Sequence, residues 1–276
     1  MEKPVLVLIR GLGHSGTTIL DMALSSHPKI AGVGEGFRVL CGGDGGPQRA
    51  RSKTRRHEQE CSCGDNAATC ELWGELMNWL EANDSLPFPD KLNKLVDQFG
   101  FVNSDKEFLV DSSQSNVDGI NELTPDFEVR AIFLVRDFRS WVFSRISKTG
   151  DGVLRCMWNW YRGNKKIEKK LVDSGVSFML VGYEEFALYP EKVLKKVCDH
   201  LGVGFDEKML CPAKHNESHA LVGNRVRLRA GELERVKYDG SWLASSSVFD
   251  SVPFINFFLK KLNTRWVYSN DVLVRR

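Results

Sequence analysis

The stretch Val5-Leu-Val-Leu-Ile9-Arg10-Gly11-Leu12-Gly13-His14-Ser15-Gly16-Thr17-Thr18-Ile19-Leu20-Asp21-Met22-Ala23-Leu24 carries the first structural decision. Val5 to Ile9 is a short apolar run rich in β-branched residues, the glycines interrupt it, and Ile19, Leu20, Met22, Ala23 and Leu24 continue with helical patterning. Strand, glycine-rich loop and helix in that order can cradle a phosphate, because loop N–H groups and a helix N-terminus surround the anion's oxygens. A Walker loop would place lysine after its last glycine; here Gly16 is followed by Thr17 and Thr18. The cation that reaches the outer phosphates of a nucleoside triphosphate is therefore missing. Taken alone, the same residues would also suit a tight strand-to-helix turn without a ligand.

Outward from this loop the pattern repeats. Phe108 to Val110 leads into Asp111, Ala131 to Val135 into Arg136, and Phe178 to Val181 into Tyr183, and a short second strand precedes Glu35. Helical stretches fall at Trp141 to Ser147, Val153 to Val172 and Glu191 to Leu201, the last opened by Pro190 and stopped by Gly202. Alternating strands and helices predict an α/β fold, a three-layer sandwich with a central parallel sheet of about five strands. In such sheets ligands sit beyond the carboxyl ends of the strands, where Gly11, Asp111, Arg136 and Tyr183 are placed. The aromatic run Cys156-Met-Trp158-Asn-Trp160-Tyr161, with Trp141, is expected in the core.

With 276 residues, 42% of them hydrophobic, the chain suits a single domain over 1–276 without covalent staples. Lys and Arg total 38 against 36 acidic residues, and a net charge of +2 predicts no general attraction to nucleic acid or anionic membrane. The run at Val5 to Ile9 is too short for a signal peptide and no stretch approaches the roughly 18 apolar residues of a membrane span. The expected location is therefore the cytoplasm. Gly42 to Glu60, rich in glycine and arginine without hydrophobic period, is expected to be a mobile loop, part of an insertion at about 41–75. Cys41, Cys61, Cys63 and Cys70 gather there. Cys61-x-Cys63 departs from the usual Cys-x2-Cys zinc spacing, so packing or a disulfide is preferred over a four-thiolate site, and no metal is expected.

A second motif narrows the function. Ala131-Ile-Phe-Leu-Val-Arg136-Asp-Phe-Arg-Ser-Trp-Val-Phe-Ser144 sets an arginine at a strand end and a serine eight residues on, a guanidinium and a hydroxyl suited to a second phosphate. With Gly11 to Thr18, this resembles the PAPS-dependent sulfotransferase family, of the soluble bacterial type with a P-loop-like fold. The resemblance implies that Gly13, His14, Ser15, Gly16, Thr17 and Thr18 hold the 5′-phosphosulfate of PAPS, and that Arg136 and Ser144 hold its 3′-phosphate. Val181-Gly-Tyr183-Glu184-Glu-Phe, followed by the Pro190 helix, resembles a further family segment, which implies Tyr183 near the adenine. Ser218-His219-Ala-Leu-Val-Gly223-Asn224-Arg225-Val-Arg227 resembles the Gly-Asn-Pro-x-Arg segment that closes over the 3′-phosphate. Arg227 aligns with its arginine and Arg225 replaces proline. Cys61-Ser-Cys63-Gly through Cys70 and Trp73 resembles a cysteine-bearing insertion of bacterial members.

The resemblance also implies roles in transfer. His14 stands where the family has a permanent cation beside the bridging oxygen, and an imidazole there would make the reaction pH-dependent. Glu35 resembles the glutamate that serves as general base in carbohydrate and tyrosyl sulfotransferases. Asp111-Ser112-Ser113-Gln114 resembles the segment Asp-Ser-Ser-Lys, which sets Asp111 and Ser113 toward acceptor or sulfonate, with Gln114 replacing lysine. Ile19 takes the place of an adenine-stacking tryptophan. The product would be adenosine 3′,5′-bisphosphate, the acceptor a small molecule, and no metal is required. Two other readings stay open: a small-molecule kinase using Mg-ATP, and a non-catalytic nucleotide-binding protein.

Overall fold

The computed structural model describes residues 3–41, 56–113, 120–123, 125–228, 236–244 and 253–269. Most of the loop expected at 42–60, and Gln114, lie outside them. In chain order the elements are β1 (Val5–Arg10), α1 (Thr17–Leu24), β2 (Ile30–Gly32), α2 (Gly36–Cys41), α3 (Gly74–Asn83), α4 (Phe88–Val102), β3 (Phe108–Asp111), α5 (Ile120–Leu123), β4 (Val129–Val135) and α6 (Phe138–Thr149). They continue with α7 (Val153–Ser174), β5 (Ser177–Gly182), α8 (Tyr183–Leu188), α9 (Pro190–Leu201), α10 (Pro212–His215) and α11 (Pro253–Val267).

The strands form one five-stranded parallel sheet in the order β2-β3-β1-β4-β5, as the alternation of strands and helices predicts. Val5 pairs with Phe108 and Leu8 with Asp111, so the carboxyl ends of β1 and β3 are in register. Leu6 to Ile9, and the whole of β3, are buried, which is why these strands read as continuous apolar runs rather than alternating ones. No described helix is long and apolar enough to cross a membrane.

The chain divides into two compact units, Met1–Ile9 with Thr18–Arg130 and Asp206–Arg235, and Arg10–Thr17 with Ala131–Phe205 and Val236–Arg276. In the first, α4 packs on α2 and α3, and Phe37 meets Phe88 edge to face at 5.3 Å. In the second, α6 packs on α7, and Trp160 lies at the centre of an aromatic cluster with Phe138 at 5.9 Å and Trp266 at 5.4 Å. Local chemistry sets the helix ends here. The Asp137 side chain accepts from the N–H of Arg139 to cap α6, which starts three residues before the apolar pattern suggests, and Gly150, Gly175 and Gly202 end α6, α7 and α9 in the left-handed region. The aromatic run on α7 is only partly core. Cys156, Met157 and Trp160 are buried, whereas Trp158 is 56% exposed on the opposite face.

Candidate functional site

The loop after β1 is held by side chains of its own unit. Trp141 Nε1 donates to the Gly13 carbonyl at 2.8 Å and Arg136 Nη1 to the His14 carbonyl at 3.1 Å, while the Ser15 N–H closes a turn on Leu12 at 3.1 Å. These bonds hold His14 at φ 73°, in the left-handed region that side chains avoid, and such strain persists only where the surroundings over-determine it. Gly16 has φ 96°, and a Cβ there would fall 2.5 Å from the Tyr183 ring, so this position admits glycine alone. Thr17 then opens α1, whose first N–H groups have no partner within the helix.

Arg136 follows β4 directly and is almost fully buried. Its guanidinium lies 4.9 Å from the centre of the Tyr183 ring, Nε donates to Ser140 Oγ at 2.7 Å, and Nη2 pairs with Asp239 at 2.8 Å. Tyr183 thus packs against both the loop and the arginine. The serine that meets the guanidinium is Ser140; Ser144 lies one turn farther along α6. Ser140 and Asp239 were not singled out by sequence, although an Arg-to-Ser spacing of four at a helix start is a readable signal.

His14 has cationic company that the loop sequence does not reveal. Lys148, at the end of α6, places Nζ 3.1 Å from His14 Nδ1. Burial, then the charges of Lys148, Arg145 and Arg136, push the His14 pKa down to about 4. The imidazole is therefore neutral across the working range, and the permanent charge beside the loop resides on lysine. Two results follow. The imidazole titration of a Lys148→Met variant, followed by NMR, should shift upward; an unchanged His14 pKa would show that the lysine charge is not felt there. Because the folded pKa lies below the ordinary 6.5, the unfolded chain binds the proton more readily between the two values. His14's contribution to stability is thus full above pH about 6.5 and is lost as pH falls toward about 4, a dependence that His14→Gln should remove from acid unfolding curves.

The carboxylates cluster in the other unit. Glu35, just before α2, is 5% exposed and pairs with Arg38 Nη1 at 2.7 Å. Its N–H donates to Val222 O at 3.3 Å, and a Cβ on the preceding Gly34 would fall 2.6 Å from the Cβ of Ala220, so the segment 220–222 presses on the turn that carries Glu35. A Cβ on Gly223 would lie 3.7 Å from Thr18 Oγ1 and 3.8 Å from Glu35 Oε1, so Gly223 faces both residues.

Asp111 and Ser113 are buried around this turn. Asp111 Oδ1 accepts from the Phe37 N–H at 2.8 Å and from Ser113 Oγ at 2.8 Å, and Ser113 Oγ accepts from the Arg38 N–H at 3.2 Å. These bonds fix the start of α2 and so orient Glu35. Asp21, absent from the sequence reading because it sits inside the apolar pattern of α1, accepts from Ser112 Oγ at 2.6 Å. Complete burial raises its pKa to about 7; bonds from Ser112 and Ser25 oppose the shift, and the charges of Asp111 and Glu35 add to it. Arg227, also buried, donates from Nη2 to Leu221 O at 2.6 Å, and the N–H of Val226 caps on Asn224 Oδ1 at 3.2 Å. The side chain of Arg225 lies outside the described residues.

A model of the sulfotransferase family matches residues 4–207, three quarters of the chain. The chain belongs to the sulfotransferase family. It is 28% identical over 237 residues to a protein-tyrosine sulfotransferase of Drosophila melanogaster, covering 82% of this chain and 43% of that one. Against protein-tyrosine sulfotransferase A of Caenorhabditis elegans it is 24% identical over 233 residues, 80% of this chain and 54% of the relative. The chain thus spans about half the length of the curated relatives it matches. Among solved structures, the sulfotransferase domain of the Synechococcus PCC 7002 olefin synthase superposes with a TM-score of 0.50 at 19% identity, covering 88% of this chain and 87% of that one. The sulfotransferase domain from the curacin biosynthetic pathway gives 0.50 at 18%, covering 88% and 90%. Identities this low speak for the fold alone.

Proposed function

We propose that this chain transfers a sulfonate group from PAPS to a hydroxyl or amine of a small-molecule acceptor, releasing adenosine 3′,5′-bisphosphate. The observation that carries the reading is Arg136, seated under Tyr183 with one nitrogen on the loop carbonyl of His14 and another on the exposed acid Asp239. A phosphate could replace that carboxylate on the guanidinium. In the scheme the loop residues Gly13 to Thr18 take the 5′-phosphosulfate, and Arg136, Ser144, Arg225 and Arg227 take the 3′-phosphate end, with Tyr183 toward the adenine.

Transfer then balances as follows. The acceptor's O–H or N–H proton passes to the Glu35 carboxylate, the acceptor atom bonds to sulfur, and the bond from sulfur to the bridging oxygen breaks. That electron pair stays on the departing 5′-phosphate, whose charge is met by loop N–H groups and by Lys148 next to His14. Positioning and electrostatics dominate, as in phosphoryl transfer, and the scheme calls on no metal ion.

Thermal unfolding tests the donor. Adenosine 3′,5′-bisphosphate without magnesium, at about 100 times its Kd, should raise Tm by roughly 5 °C or more. Stabilisation by Mg-ATP alone would replace the reading with a kinase. Turnover is tested with PAPS and a metabolite extract, following sulfonate addition by mass spectrometry. Donor binding without product over a broad acceptor panel would leave a nucleotide-binding protein. A tyrosyl peptide belongs in that panel, because the two animal relatives are named for protein tyrosine.

A further inference from the structure

The cysteine-bearing insertion brings together four groups that the transfer scheme does not use. Cys61, Cys63, Cys70 and His219 place three sulfurs and one imidazole nitrogen all within 4.8 Å of one another. Cys70 Sγ lies 3.6 Å from Cys61 Sγ, 3.7 Å from Cys63 Sγ and 3.3 Å from His219 Nδ1. A disulfide would bring two sulfurs to about 2.05 Å. Ligands about 2.3 Å (sulfur) and 2.0 Å (nitrogen) from a tetrahedral zinc ion are instead separated by roughly 3.8 Å for S···S and roughly 3.5 Å for S···N. The three spacings from Cys70 lie close to the second pattern and far from the first. We infer that Cys61, Cys63, Cys70 and His219 form a structural zinc site, with His219 ligating through Nδ1.

The surrounding backbone is built for this purpose. The N–H of Cys61 donates to Asp65 O at 2.7 Å and the Gly64 N–H to Cys61 O at 3.1 Å, a tight knuckle that turns both Cys61 and Cys63 to the same side. The N–H of Cys70 donates to Asn66 O at 2.8 Å, returning the third thiol to that side. His219 comes from far along the chain and is set by its N–H on Gly32 O at 2.8 Å and by Trp73 Nε1 on its carbonyl. Ser62, between the first two cysteines, donates from Oγ to Ser218 O and accepts from the Ala220 N–H at 2.8 Å, so the knuckle and the His219 segment meet with or without the ion. Cys61 and Cys70 are buried while Cys63 is exposed, which leaves an entry side. Cys41, grouped with these residues by sequence, does not join the set.

Four protein ligands close the coordination shell, the mark of a structural rather than a catalytic zinc. The consequence for the fold is specific. The ion ties the insertion to the segment 218–222, and that segment presses on Gly34 and accepts the Glu35 N–H. Metal binding therefore stabilises the turn that carries Glu35 without touching substrate.

The test is metal content, independent of any sulfonate assay. Protein purified under reducing conditions without chelator should hold about one zinc per chain by plasma mass spectrometry. Cobalt exchanged into the site should give the intense visible bands of a tetrahedral thiolate complex. Cys63→Ser, which alters the exposed ligand, should weaken zinc by at least about 10-fold in competition with a chromophoric chelator and remove roughly one third of the thiolate-to-cobalt charge-transfer intensity. His219→Gln should weaken zinc while leaving that thiolate intensity in place. Wild-type protein that holds no zinc and takes none up when reduced overturns the site. So does zinc or cobalt binding unaffected by both substitutions, or a count of seven cysteines in which two resist alkylation until reduced and pair as Cys61 with Cys70 or Cys63 with Cys70.

Discussion

Glu35→Gln is expected to lower kcat by about 10²-fold or more while leaving the affinity for adenosine 3′,5′-bisphosphate nearly unchanged, as loss of a general base does. Glutamine keeps the size of the side chain and can still meet Arg38, so the turn should survive. What it loses is the charge that accepts a proton. The surroundings of Glu35 support this separation of effects. Asp111 and Ser113 hold the first N–H groups of α2, and Arg38 Nη1 binds one carboxylate oxygen at 2.7 Å, so the side chain is held in place rather than left to swing. The other oxygen is the one that faces Gly223. A kcat within about twofold of wild type, measured with saturating PAPS and the acceptor found by mass spectrometry, would remove Glu35 as the base. Asp21, held near neutrality by burial, would then be the next carboxylate to substitute.

The loop, the strand ends and the helix stops were legible because each depends on neighbours within a few residues. The glycines of the loop mark its tight turn, Pro190 opens and Gly202 stops the helix between them, and a buried strand is a run of apolar side chains. What escaped depends on distance along the chain. His219 lies 149 residues from Cys70, so no cysteine spacing could announce it as the fourth ligand, and the Cys-x-Cys spacing argued against a metal when taken alone. Lys148 compensates for the histidine in the loop from 134 residues away. The missing cation at His14 therefore read as a titratable site, whereas burial and three neighbouring cations keep that imidazole neutral. Asp21 escaped for another reason. A carboxylate inside an apolar helical pattern looks like an interruption, and the bond from Ser112, just after β3, shows how it is accommodated. Trp158 and Trp160 share one stripe in sequence but stand two residues, about 200°, apart on α7, so one is core and the other exposed.

Arg136→Ala should weaken binding of adenosine 3′,5′-bisphosphate by about 10²-fold, the scale of losing charge-assisted bonds worth roughly 1.5–3 kcal/mol to a phosphate. Arg136 also supports the loop through His14 O, so the alanine variant alone confounds ligand contact with loop order. Two companions separate them. Arg136→Lys retains the charge but lacks the planar fork, and should fall between wild type and alanine in calorimetric affinity. Asp239→Asn leaves the guanidinium and its bonds to Ser140 and His14 in place while removing the carboxylate that pairs with it at 2.8 Å. If Asp239 occupies the position a phosphate would take, its removal should leave donor affinity unchanged or make it tighter, because the anion no longer competes for Nη2. If Arg136 acts only as a prop for the loop, the asparagine variant has no reason to bind more tightly, and the lysine and alanine variants should lose thermal stability in step with affinity. Unchanged affinity in Arg136→Ala would remove the residue from the donor site altogether.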